Sequence, residues 1–154
     1  MTTVPSTINV MPPVTETGSR TSSSLQYNAN VAQSKTRIPE ISVVIPVFNE
    51  EDNIALLYQK LVSALDALGR SWEAVLIDDG STDSSFNKLA EIAGTDERIK
   101  VVRFVKNFGQ TAALAAGIDH ARGDVIIPMD ADLQNDPADV RRLLDKLDEG
   151  YDVV

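Results

Sequence analysis

Residues 41–51 read ISVVIPVFNEE. The run from Ile41 to Val47 is dense in β-branched Val and Ile and lacks the polar alternation of a half-exposed strand, so it predicts a strand covered on both faces. Phe48-Asn49-Glu50-Glu51 then breaks the run with a polar, acidic bend. The same sequence of events recurs downstream. Glu73 to Ile77 is followed by Asp78-Asp79-Gly80-Ser81-Thr82-Asp83, and Val125 to Met129 by Asp130-Ala131-Asp132-Leu133-Gln134. Lys100 to Val105 and a final Tyr151 to Val154 are the remaining strand candidates.

Helical periodicity fills the intervals. Ile54, Leu57, Tyr58, Leu61, Leu65 and Leu68 fall on one face of a helix that Gly69 terminates. A second helix runs through Phe86, Leu89, Ala90 and Ala93, with Ser81 or Asp83 placed to cap it. A third, near Gln110 to Arg122, is built from Ala and Gly, which lets its backbone lie close to a sheet. The fourth opens with Asp136 as N-cap and Pro137 at the first position, then presents Leu143, Leu144 and Leu147 before Gly150. Arg141 and Arg142 read as one solvated face of it. Strands alternating with helices, joined by connections too long for hairpins, predict an α/β domain with a mostly parallel sheet and helices on both faces. Ligands of such sheets bind beyond the carboxyl ends of the strands.

Composition narrows the partners. The chain of 154 residues holds 14 basic and 23 acidic side chains, of which only three and two precede residue 41, so the acidity belongs to the folded part. Such a surface disfavours nucleic acid and anionic headgroups unless a metal ion or oriented N–H groups admit them. With no cysteine, disulfides and thiolate metal sites are excluded. The apolar runs fall far short of the roughly 20 residues of a membrane-spanning helix. Residues 1–40, rich in Ser, Thr, Asn and Pro, are expected to be a disordered tail, with a transit peptide as the minor alternative; residues 41–154 form the domain.

The three acidic bends would collect Glu50, Glu51, Asp78, Asp79, Asp83, Asp130 and Asp132 along one sheet edge. Carboxylates crowded in this way repel one another unless a hard cation sits among them, and Mg²⁺ or Mn²⁺ suits oxygen ligands that bridge to phosphates. Asp130 and Asp132, two apart where a strand gives way to a loop, are the best pair; read blandly, one ends a strand and the other starts a turn. The Asp78-Asp79 bend offers acceptors for a base N–H or for ribose hydroxyls, and equally forms a tight turn before a helix. Lys106, Asn107 and Gly109 offer a cation, an amide and a close backbone approach to phosphate, or ordinary turn chemistry. His120 reads as a helix-end residue, and Trp72 as packing at a sheet end.

Taken together and in order, Pro46-Val47-Phe48-Asn49-Glu50, Asp78-Asp79-Gly80-Ser81-Thr82-Asp83, Asn107-Phe108-Gly109-Gln110 and Gly123-Asp124 with Met129 to Gln134 resemble family 2 glycosyltransferases across residues 41–154. In detail the sequence looks like the branch of dolichyl-phosphate mannosyltransferases and undecaprenyl-phosphate glycosyltransferases. The resemblance implies a GT-A fold, a Rossmann-like sandwich. It also implies inverting transfer of a sugar from a UDP- or GDP-sugar to a polyprenyl phosphate. By it, Pro46, Phe48, Glu50, Asp78 and Asp79, with Val47 and Asn49 beside them, would line the nucleoside pocket. Asp130 and Asp132 would be the catalytic pair that holds Mg²⁺ or Mn²⁺ on the diphosphate, with Gln134 as a further candidate ligand and Ala131 between the two aspartates. Phe48 stands where the family often has tyrosine. Family members continue past the point where this sequence stops, so a truncated form that binds donor and does not transfer is expected. Its location would be cytoplasmic, or the cytoplasmic face of a membrane in a full-length form whose later part makes the membrane contact.

Other classes fit less well. A non-catalytic nucleotide-sugar-binding module is the main alternative. A haloacid-dehalogenase-type phosphatase shares Asp-x-Asp and magnesium, but Leu133-Gln134 and the late position of the motif argue against it. The Gly-x-Gly-x-x-Gly of a dinucleotide enzyme is missing after the first strand, and Asn135 stands where a Ca²⁺ loop requires Gly.

Overall fold

The computed structural model describes residues 9–10 and 38–154. The expected tail therefore lies mostly outside the described residues; within it, β1 (Asn9–Val10) pairs antiparallel with Val102 and Arg103. The other strands are β2 (Ile41–Val47), β3 (Trp72–Asp78), β4 (Ile99–Arg103) and β5 (Val125–Pro128). The helices are α1 (Ile54–Asp66), α2 (Ser85–Thr95), α3 (Gln110–His120) and α4 (Val140–Asp148), the last entered through a 3-10 turn at Pro137–Asp139.

Strand order is β1-β4-β3-β2-β5, and β2, β3, β4 and β5 are parallel. The chain lays β3 and β4 on one side of β2 and then crosses to set β5 on the other. That reversal opens a crevice beyond the carboxyl ends of β2 and β5.

Alternate residues of β2 serve two cores, as a strand covered on both faces requires. Ile41, Val43, Ile45 and Val47 pack with Ile54, Leu57, Leu61 and Leu65 of α1, Leu89 of α2 and Val140 and Leu144 of α4. Val44 joins Val75, Ile77, Val102 and Phe104 against Ala113 and Ala116 of α3. The small residues of α3 do bring it close to the sheet. A Cβ on Gly117 would stand 2.3 Å from Val44 Cγ1 and 2.5 Å from Ile77 Cδ1.

The structure corrects several expectations. Tyr151 to Val154 forms no strand: these residues pair with no described neighbour and their side chains are exposed, and apolar composition without ladder hydrogen bonds does not make a strand. β4 stops at Arg103, because Val105 has left the sheet and is 69% exposed. Asp136 caps the 3-10 turn, accepting from Ala138 N at 3.1 Å, rather than α4 itself. Ser84 occupies the N-cap of α2, while Asp83 Oδ1 accepts from Ser85 N at 2.9 Å. Arg141 is not merely solvated, for its Nη2 donates to Ala67 O at the end of α1 at 2.7 Å.

At the opposite end of the sheet from the crevice, buried Glu73 ties three strands together. Its carboxylate meets Lys100 Nζ at 2.6 Å and Arg122 Nη2 at 2.9 Å, and accepts from Ser42 Oγ at 2.8 Å and Arg122 N at 2.8 Å. Burial pushes the Glu73 carboxyl up, but Lys100, the Arg122 N–H and guanidinium and the Ser42 hydroxyl together hold it below the ordinary glutamate range.

Two outcomes are expected. Gly117→Ala should lower unfolding free energy by about 1–2 kcal/mol, the overpacking cost less the helix-propensity gain, measurable by urea denaturation. Glu73→Gln should destabilise by about 2–3 kcal/mol at neutral pH, the worth of hydrogen bonds to a charged group. Because the folded-state value is depressed, that difference should be complete above the ordinary glutamate value of 4.5 and should close as pH falls below it.

Candidate functional site

The bends after β2 and β3 are cross-braced by hydrogen bonds that use most of their polar groups. Asn49, at φ 55°, donates its N–H to Ser81 Oγ at 3.0 Å, and its Oδ1 accepts from Thr82 N at 2.8 Å. Glu50 N donates to Ser85 Oγ at 2.8 Å, Glu51 N to Asp83 Oδ2 at 3.2 Å, and Ser84 N to Glu51 Oε2 at 3.0 Å. Although burial raises it, the Asp83 carboxyl is held below its ordinary value by the Ser85 hydroxyl and N–H and the Glu51 N–H. Asn49, Glu51 and Asp83 are therefore fasteners between two loops.

The second bend is clamped to the loop after β4. Asp79 is 3% exposed; its Oδ1 accepts from Phe108 N at 2.8 Å and its Oδ2 from Gly109 N at 2.9 Å. The Gly109 N–H is thus already committed. Gly80, at φ +70°, lies so close to this loop that a Cβ would come within 2.3 Å of the Lys106 carbonyl carbon, which is why no larger residue fits the bend. Asp78 is fully buried: Oδ1 accepts from Ser81 N at 3.2 Å. Its Oδ2 lies 3.2 Å from Arg103 Nε as an ion pair without the alignment of a hydrogen bond. The Arg103 guanidinium stacks on Phe86 at 3.9 Å.

The crevice itself is a cleft of about 370 Å³ lined by Pro46, Val47, Phe48, Glu50, Asp79, Asn107, Gly109, Gln110, Asp130, Ala131 and Asp132. It gathers the ends of β2, β3 and β5 and the start of α3. An adjoining cavity of about 640 Å³, sharing Phe48 and Asn107, extends over β3 and β4 and takes in Lys106, Arg103 and Thr82. Phe48, 44% exposed, presents its ring to both.

Of the residues expected at the site, Asp78, Asn49 and Gln134 line neither cavity, and Lys106 lines only the second. Burial explains Asp78 and loop bracing explains Asn49. The anticipated repulsion among seven carboxylates does not arise in that form: Asp78 has Arg103, Asp79 has two N–H donors, and Glu51 and Asp83 serve the braces.

Asp130 and Asp132 keep their carboxylates at the cleft. Asp130 Oδ1 accepts from Gln110 Nε2 at 2.8 Å and Oδ2 from Asn135 Nδ2 at 3.3 Å. Asp132 is exposed and Oδ1 accepts from Gln134 N at 3.0 Å, within a bend where Leu133 adopts φ 64°. Among the described residues no three His, Cys, Asp or Glu side chains converge as a ready-made metal cage. Two carboxylates facing a cleft could hold a hard cation whose remaining ligands are water and phosphate oxygens. Gln110 escaped the sequence reading as a site residue, since its partner lies 20 positions away on another loop; its place beside Asn107 to Gly109 was the available signal. His120 bonds Ala116 O through Nδ1 at 2.8 Å, away from the cleft.

Comparison with known proteins agrees with this architecture. Undecaprenyl-phosphate 4-deoxy-4-formamido-L-arabinose transferases of Salmonella paratyphi B and Salmonella newport are each 46% identical over 118 residues, which is 76% of this chain and 36% of theirs. The chain thus spans about a third of the length of these curated relatives. Among solved structures, S. aureus TarS 1-349 in complex with UDP aligns with TM-score 0.58 and 23% identity, over 71% of this chain and 32% of that one. Glucosyl-3-phosphoglycerate synthase from Mycobacterium tuberculosis, in complex with Mn²⁺, UDP and phosphoglyceric acid, aligns with TM-score 0.54 and 28% identity, over 71% and 39%. These likenesses make the fold the GT-A one. The family described as Glycosyl transferase family 2 matches residues 42–154, and the chain belongs to that family.

Proposed function

We propose that the cleft binds a nucleoside-diphosphate sugar, linked to uridine or guanosine, and that the protein passes the sugar with inversion to a polyprenyl phosphate. The observation that carries this reading is the meeting of Phe48, Asp79, Asp130 and Asp132 on one cleft at the reversal point of a parallel sheet. The curated relatives named as undecaprenyl-phosphate transferases support the acceptor class, and the 28%-identical glucosyl-3-phosphoglycerate synthase, in complex with UDP and Mn²⁺, supports the donor class.

Each residue then has a task. Pro46, Val47 and the Phe48 ring supply an apolar wall for the nucleoside. Glu50 and Asn107 lie at hydrogen-bonding positions around it, whereas Asp79 contributes by fixing the loop that carries Asn107. Asp130 and Asp132 would hold Mg²⁺ or Mn²⁺, which when bound offsets the charge gathering on the diphosphate leaving group. The cleft's own acidity disfavours a diphosphate unless such a cation accompanies it. A phosphate acceptor carries its negative charge near neutral pH, with its second ionisation near 6, so none of these residues is required to remove a proton from it. By the acceptor class that its curated relatives name, we place the protein in the cytoplasm or at the cytoplasmic face of a membrane. Among the described residues no helix is long and apolar enough to cross a membrane.

Calorimetric titration with UDP and GDP, with and without Mn²⁺, tests the reading on this chain. Nucleotide affinity should rise with Mn²⁺, and Asp132→Ala should remove at least a tenfold share of it, about 1.4 kcal/mol. Binding indifferent to both metal and substitution would overturn the assignment.

A further inference from the structure

We propose that Gln110 is a positioning residue that fixes the Asp130 carboxylate for a divalent cation, an inference that rests on the donor-site reading above. Gln110 is the first residue of α3, and its side chain crosses the cleft to place Nε2 2.8 Å from Asp130 Oδ1. What aims it is the clamp on the preceding residues. Asp79 takes the N–H groups of both Phe108 and Gly109, and Gly109 turns into the helix at φ +94°. Asp79 is therefore joined to Asp130 through a short relay, acidic bend to loop to amide to carboxylate, in which Gln110 is the link that touches the carboxylate.

The chemistry of the amide matters. A carboxylate has about four lone-pair positions and can accept from an amide while still binding a cation. Gln110 is neutral, so it orients Asp130 without cancelling the charge that would attract the metal; Lys or Arg there would compete with the cation. Asn135 Nδ2 on the other oxygen, at 3.3 Å, is the weaker of the two contacts. Restraint from both sides stops the carboxylate turning about its own bond, and groups that orient metal ligands in this way are worth a substantial part of the affinity.

The test is Mn²⁺ titration in the presence of UDP, followed by calorimetry and by electron paramagnetic resonance of the bound ion, on the 154-residue chain and on Gln110→Ala, Gln110→Leu and Asp132→Ala. Both Gln110 variants should bind Mn²⁺ 10–100-fold more weakly. Their Mn²⁺ spectra should broaden as the carboxylate loses a fixed orientation, and their thermal unfolding without ligand should stay at the parent value, which separates positioning from a structural role. If Asp132→Ala loses Mn²⁺ while both Gln110 variants keep affinity within twofold and an unchanged spectrum, the positioning role is overturned and the donor-site reading stands. If Asp132→Ala also leaves Mn²⁺ binding untouched, both fall.

Discussion

β2 is the constraint on which the rest of the structure depends. It pairs in parallel with β3 on one side and β5 on the other, and its alternate residues are buried in two separate cores. A strand so enclosed has one free register, because a one-residue slip would exchange Val44 for Val43 or Ile45 and misplace both cores. Fixing β2 fixes where the flanking strands end, and hence that Phe48, Asp79 and Asp130 emerge on the same rim.

The rim is acidic yet orderly because each carboxylate is handled differently. Asp78 is buried against a guanidinium, Asp79 accepts from two backbone donors, Asp83 joins the braces between loops, and Asp130 is held by neutral amides. The last arrangement leaves a carboxylate on the cleft wall with the exposed Asp132 and with Glu50. The same residue type thus builds the scaffold in three places and offers ligand chemistry in the fourth.

Much of this could be read from the residues. The Val/Ile run of β2 gave its limits directly, and the repeated pattern of apolar run and acidic bend placed the cleft at the carboxyl edge. The small residues of α3 announced its close approach. What escaped was tertiary in origin. An Asp or Asn in a bend has the same sequence signature whether it faces ligand or grips a neighbouring loop, so sequence alone groups Asp78 and Asn49 with the pocket residues. The Gln110 to Asp130 and Arg141 to Ala67 bonds span 20 and 74 positions and leave no local trace. Tyr151 to Val154 has a strand's composition but lies exposed outside the sheet.

Arg141, clasping the end of α1, together with Val140 and Leu144 in the core, anchors α4 firmly. β5 anchors the other side, where Met129 N still bonds Val44 O. The stretch from Asp130 to Asp136 is consequently an arch between two fixed abutments. Any rearrangement of the acidic tip must be absorbed within the arch, by torsions such as that of left-handed Leu133, because neither footing can swing without breaking into the core.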